Sequence, residues 1–243
     1  MQILYEDNHI ISVVKPSGVL SQADGSNVPD MVNLLKEDIK ERYEKPGNVF
    51  VGLVHRLDRN VGGTMVFAKT SKGASRLSAE LRDKRFYKAY FALAQGLTSE
   101  NEKVLVNYLY KDEKNNIVRQ DKEKGKKSVL KVIRLAETKE NGGRTLFLAL
   151  PITGRAHQIR AQLSMAGMPL LGDGKYGKGL VGNDAADMGL WSCHVAVKHP
   201  VKDETMHFTS IPENKGVWST FETSEYKKGA GISLERIKEW FTI

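Results

Sequence analysis

Apolar residues along this chain fall into short β-branched runs separated by stripes at helical spacing. The run Ile10-Ile11-Ser12-Val13-Val14, closed by Lys15-Pro16-Ser17-Gly18, predicts a buried strand that ends in a turn. From Asp30, a suitable N-cap, Met31, Leu34, Leu35 and Ile39 recur on one helical face until Pro46-Gly47 stops the pattern. A second strand is expected at Thr64-Met65-Val66-Phe67-Ala68, then a helix capped by Ser71 with Ala74, Leu77, Ser78 and Leu81 on one side. A third strand is expected from Tyr90 to Gly96. Residues 111–127 carry seven Lys or Arg, four Asp or Glu and one aliphatic pair, Ile117-Val118, which predicts a solvated hairpin or loop. Strands over 129–135 and 145–150 are joined by Asn141-Gly142-Gly143, a strong hairpin signal. Ile159, Leu163 and Ala166 mark a helix ended by Gly167 and Pro169; residues 191–197 read as a strand, and Leu234, Ile237 and Phe241 as a closing helix. Helices do not follow every strand, and neighbouring strands are close enough for hairpins. The expected class is therefore α+β, with a mixed, mostly antiparallel sheet in a single domain over 1–243.

Composition narrows the function. The chain has 243 residues, 40% hydrophobic, enough to bury a core without staples, and its one cysteine, Cys193, has no partner for an internal bridge. A reducing cytoplasm fits. No apolar run is long enough to span a bilayer, and Glu6, Asp7, Asp24 and Asp30 do not suit a signal or transit peptide. Lys and Arg number 37 against 29 Asp and Glu, a net charge of +8, which biases the protein toward polyanions such as RNA or DNA.

Two segments carry charge that a fold alone would not need. In Val54-His55-Arg56-Leu57-Asp58-Arg59, cationic neighbours favour the ionised carboxylate of Asp58, and Gly62-Gly63 would let the backbone approach a ligand. In Thr153-Gly154-Arg155-Ala156-His157-Gln158-Ile159-Arg160, Arg160 falls along the edge of the helix's buried stripe, where a guanidinium can hold a carboxylate bidentately; Asp58 is its natural partner. Other candidates weaken. Gly172-Asp173-Gly174-Lys175-Tyr176-Gly177-Lys178-Gly179 ends on glycine where a phosphate loop needs Ser or Thr. His194, His199 and His207 lack the spacing of a zinc site, and Cys193 and His194 point to opposite faces of a strand.

Taken in order, these pieces resemble the RluA family of pseudouridine synthases over nearly the whole chain: Ile3 to Asp7, Val14 to Gly18, His55-Arg56-Leu57-Asp58, Tyr90 to Gly96, Pro151 to Arg160, Gly172-Asp173 with Tyr176-Gly177, then His194 and His199-Pro200. The resemblance implies a central sheet flanked by helices, with a cleft across its middle. It implies Asp58 as catalytic aspartate, Tyr90 as the tyrosine that packs on the target base, Arg160 as the arginine paired with Asp58, and Arg56 as an RNA contact. His55, Arg155, His157 and Lys88 are expected to touch RNA as well. Two departures stand out: Val61-Gly62 replaces a usual Thr-Ser, and Ala156 replaces a Thr or Ser, putting a helix-start hydrogen bond in doubt.

The implied reaction uses no cofactor or metal, and Asp58 could attack ribose C1′ or remove the 2′ proton. A flipped uridine in ribosomal or transfer RNA is the implied substrate. The chain opens on the catalytic domain, so RNA affinity is expected from that domain, without a preceding S4-type RNA-binding domain; Arg82, Lys84, Arg85 and Lys88 are candidates for phosphate contact. The protein is expected to be a cytoplasmic monomer. Two rivals are a non-catalytic RNA-binding protein, for which an acid at Asp58 would repel phosphate, and a glycoside hydrolase, which would want a second carboxylate. Only Asp173 could supply that, and its flanking glycines suggest a structural turn.

Overall fold

A computed structural model describes residues 1–177 and 188–236, and shows an α+β fold whose chain divides into two compact units. The first comprises residues 1–88 and 192–210, the second residues 89–191 and 211–243. The predicted Lys178-Gly179, Ile237 and Phe241 lie outside the described residues.

In the first unit, β1 (Gln2–Glu6) pairs antiparallel with β2 (Ile10–Lys15), and β2 with β4 (Gly62–Ala68). A two-residue β3 (Gly52–Leu53) lies on β4; β10 (Leu190–Lys198) follows β4 in the sheet and carries β11 (Thr205–Thr209). Helix α1 (Met31–Arg42) starts as expected: the Asp30 carboxylate accepts the Asn33 N–H at 3.2 Å. Helix α2 (Ser71–Arg82) is capped one residue earlier than predicted, because the hydroxyl of Thr70 accepts the Gly73 N–H at 3.0 Å and Ser71 is already helical. Ile10, Val66, Leu77, Phe86, Val195 and Phe208 close the core. The turn after β1 is tied by Asp7, whose carboxylate meets His199 Nε2 at 2.8 Å.

The second unit orders its strands β5 (Tyr87–Gln95), β9 (Arg144–Pro151), β8 (Lys126–Thr138), β6 (Glu102–Asp112) and β7 (Ile117–Gln120). These pairings are antiparallel. Between β8 and β9, Asn141, Gly142 and Gly143 all take positive φ, as the hairpin signal requires. Residues 111–127 take the hairpin form of the two that were expected, with most of their side chains exposed. They hold the end of β6, all of β7 and the start of β8, and Val118 is buried with its N–H donating to the Tyr176 hydroxyl at 2.7 Å. Helix α3 (Gln158–Met165) is followed by Gly167 at φ +79°, and α4 (Thr223–Arg236) packs on β8, with Gly229 close against Leu135 and Phe91. Among the described residues no helix is long and apolar enough to cross a membrane, and none of their His, Cys, Asp and Glu residues cluster in threes as a metal site would need.

Candidate active site

In the first unit, Asp58 sits on a loop between β3 and β4 that the segment after β2 clamps nearly residue by residue. Ser21 donates its hydroxyl to the Leu57 carbonyl at 2.7 Å and accepts the Leu57 N–H at 3.0 Å. Gly18 N–H and Lys15 Nζ both donate to the Arg59 carbonyl at 2.9 Å, and Ser17 donates to the Asn60 carbonyl at 2.9 Å. The Val61 N–H closes a turn onto the Asp58 carbonyl at 3.0 Å. The half-buried Asp58 side chain is thus carried on a backbone with little freedom to drift, which is what a group that must meet one atom of a substrate needs.

Lys15 is the anchor of that clamp. It is fully buried, and its ammonium donates to the carbonyls of Pro16, Val19 and Arg59 at 2.9, 2.6 and 2.9 Å, one acceptor for each hydrogen of the charged form. Burial pushes its pKa down, to about 7, and the negative charge of Asp58 opposes that shift. Because the unfolded chain keeps its lysine protonated to about pH 10.4, it binds more protons than the folded one between these values, so the Lys15 contribution to stability rises with pH across that window. Lys15→Met orphans three carbonyls and is expected to lower stability at pH 7 by about 2–4 kcal/mol and to flatten that rise. Urea unfolding at neutral and alkaline pH measures both.

His55, expected at the RNA, is instead a core residue. Its ring is buried 4.9 Å from that of Phe86, and Nε2 accepts the Val66 N–H at 3.0 Å. Burial, with Lys88 nearby, pushes its pKa down to about 3, so the ring is neutral and serves to tie the loop to β4. Arg56 is exposed and Lys88 half-buried, its pKa lowered by burial. Of the cations before Tyr90, Arg85 is forked onto Glu80 at 2.8 and 3.1 Å, a solvated pair. Gly63 also needs a different reason from the expected one. At φ +116° a Cβ there would collide with the Ser192 backbone of β10, so strand packing requires the glycine rather than approach of a ligand.

In the second unit, Tyr90 is only 7% exposed in β5, opposite Ala149 of β9. Residues 158–163 are all buried, so Arg160 lies deeper than the edge position its spacing suggested. Its guanidinium forks onto Asp173, Nε to Oδ2 and Nη2 to Oδ1, both at 2.8 Å, with the Tyr176 ring 5.1 Å from its central carbon. This fork holds Arg160 from its own unit through Asp173, which sequence marked only as a turn residue. Asp173 also accepts the N–H groups of Lys175 and Tyr176 at 3.0 and 3.1 Å. Burial alone would raise its pKa; Arg160 and those two donors outweigh it and hold the carboxyl below its usual range.

The turn before α3 is held by Gln158 rather than by a hydroxyl at Ala156. Its Oε1 accepts the Arg155 N–H at 3.0 Å and the Thr153 hydroxyl at 2.9 Å. His157 takes φ +47°, with Nδ1 2.9 Å from the Tyr176 hydroxyl, while the Arg155 side chain is exposed. Tyr176 thus meets Arg160, His157 and Val118 at once, a role not visible in its sequence context.

The chain belongs to the RNA pseudouridylate synthase family, whose model matches residues 9–165. It is 33% identical over 218 residues to ribosomal large subunit pseudouridine synthase C of Vibrio parahaemolyticus, covering 88% of this chain and 66% of that protein. To the dual-specificity RNA pseudouridine synthase RluA of Vibrio vulnificus it is 29% identical, over 82% of this chain and 78% of the relative. The chain spans 64–66% of the first two synthases C it matches. A solved structure of human RNA pseudouridylate synthase domain containing 4 shares the fold, with a TM-score of 0.70 at 18% identity over 95% of this chain and 93% of that one.

Proposed function

We propose that this protein is a pseudouridine synthase that isomerises uridines in ribosomal or transfer RNA, with Asp58 as the catalytic group. The observation that carries this reading is a carboxylate on a clamped loop inside a chain of this family. The isomerisation breaks the bond from ribose C1′ to uracil N1, turns the base, and forms a bond from C1′ to C5. The C5 proton leaves to solvent and N1 gains one, so the reaction is redox-neutral and needs no cofactor. Asp58 acts either as nucleophile at C1′ or as base at the 2′ position. Tyr90 presents its ring to the flipped base, and Arg56, Arg155, His157 and Lys88 contact RNA around it; His55 supports the loop instead. Arg160, aimed by Asp173, is the cationic member of the catalytic set. Turnover by Arg160→Lys equal to that of the wild type would remove it from that set.

The enzyme acts in the cytoplasm as a monomer. Chemical mapping of pseudouridines in total RNA from cells with and without the protein tests the reading: loss of one or more sites supports it, and an unchanged map contradicts it. A protein that only binds RNA would also give an unchanged map. The basic surface predicts a steep salt dependence of RNA binding, with affinity falling at least about tenfold between 50 and 200 mM salt; filter binding checks it.

A further inference from the structure

Strand β6 is apolar toward solvent. Its inner side buries Leu109 and presents Leu105 and Asn107 toward Gln162 of α3, but Val104, Val106, Tyr108 and Tyr110 alternate on the other side. They remain 50, 51, 41 and 38% exposed. Burial does not explain two valines and two tyrosines in a row on an outer face, and such strips mark contact surfaces. Directly opposed residues of antiparallel strands share a face, and the register sets a cation across from three of the four: Lys131 opposite Val104, Lys127 opposite Tyr108 and Arg119 opposite Tyr110. Arg119 Nε lies 3.9 Å from the carboxylate of Asp112.

The chemistry of the strip selects its occupant. Protein interfaces exclude lysine from their centres, whereas surfaces for single-stranded nucleic acid combine aromatic rings for base stacking with cations that follow the phosphates. From Val104 to Tyr110 the strip runs about 20 Å, room for a few nucleotides. We propose that the outer face of β6, with Arg119, Lys127 and Lys131 across from it, is an RNA-docking surface that stacks unpaired bases flanking the modified site. Tyr108 and Tyr110 provide the stacking rings, and the cations hold the backbone without reading sequence. This rests on the reading that the protein acts on RNA, and it lies on elements that carry none of the proposed catalytic residues.

The test uses the full chain and a fluorescein-labelled oligouridylate of about 12 nucleotides, read by anisotropy. Tyr108→Ala with Tyr110→Ala is expected to weaken binding at least about tenfold, while the two Phe replacements keep most of the affinity. Arg119→Gln with Lys127→Gln should reduce the slope of log affinity against log salt by about 2. Turnover of saturating tritiated ribosomal RNA should be unchanged in both. Unchanged oligouridylate binding by the Tyr→Ala pair overturns the proposal, as does a wild-type dimer in sedimentation that this pair dissociates. If the wild type binds oligouridylate through the tyrosines but forms no pseudouridine, the catalytic reading fails and the docking surface stands; if it forms pseudouridine and the variants bind normally, the reverse holds.

Discussion

Asp58→Asn is expected to fold as the wild type does and to lose at least about a thousandfold in turnover. The amide matches the carboxylate in size, and the loop that carries it is fixed through backbone atoms: the Leu57 N–H and the carbonyls of Leu57, Asp58, Arg59 and Asn60. None of those bonds uses the Asp58 side chain. The amide also keeps an acceptor oxygen in the same place, so denaturant unfolding should show little change, while an amide can neither attack C1′ nor take the 2′ proton. Retention of a tenth of wild-type tritium release from RNA labelled at uridine C5 would remove Asp58 from the mechanism.

Asp173→Ala is expected to cost about 3–5 kcal/mol of stability, the largest loss of any single substitution proposed in this unit. It removes the two carboxylate oxygens onto which a buried guanidinium forks, and takes the same acceptor from the N–H groups of Lys175 and Tyr176. Arg160 then loses the Asp173 fork that sets its angle, so turnover should fall at least about tenfold as well. Asp173→Asn keeps shape and one acceptor and should lose less of both. The sign of the pH effect follows from the lowered carboxyl: its contribution is present above about pH 4 and is lost as pH falls through the folded value. The Asn variant should accordingly show a flatter acid limb in unfolding free energy. An Asn variant as acid-sensitive as the wild type would mean that Asp173 does not carry that dependence.

The elements legible in the sequence were those whose apolar pattern has one cause. Residues 10–14 and 64–68 are apolar because the sheet buries them, and α1 shows its stripe and its Asp30 cap plainly. Strand β6 was missed because burial on one side and the exposed Val104, Val106, Tyr108 and Tyr110 on the other cancel the alternation that marks a strand. In 111–127 the expected hairpin could not be told from a loop for a related reason: β7, a four-residue strand with two exposed members, leaves only Ile117-Val118 as signal. At the site, spacing could single out Arg160 but could not show that Asp173 forks it, since Asp173 lies thirteen residues on, in a glycine-flanked turn. The loop segment 55–59 looked uniformly functional, yet burial separates His55 and Leu57, which hold the loop, from Arg56 and Asp58, which face outward to differing degrees. Lys15 was visible only as punctuation after a strand; its three carbonyl contacts depend on how the chain folds back at residues 16–19 and 59.

The central claim, that this chain isomerises uridine through Asp58, is tested most directly by stoichiometry. Purified protein is incubated with ribosomal RNA tritiated at uridine C5, taken from cells lacking it, and released tritium and newly formed pseudouridine are counted together in the same samples. Isomerisation predicts one tritium released for each pseudouridine formed, with neither product from Asp58→Asn. Free uracil in place of pseudouridine, or equal product from Asp58→Asn, would contradict it.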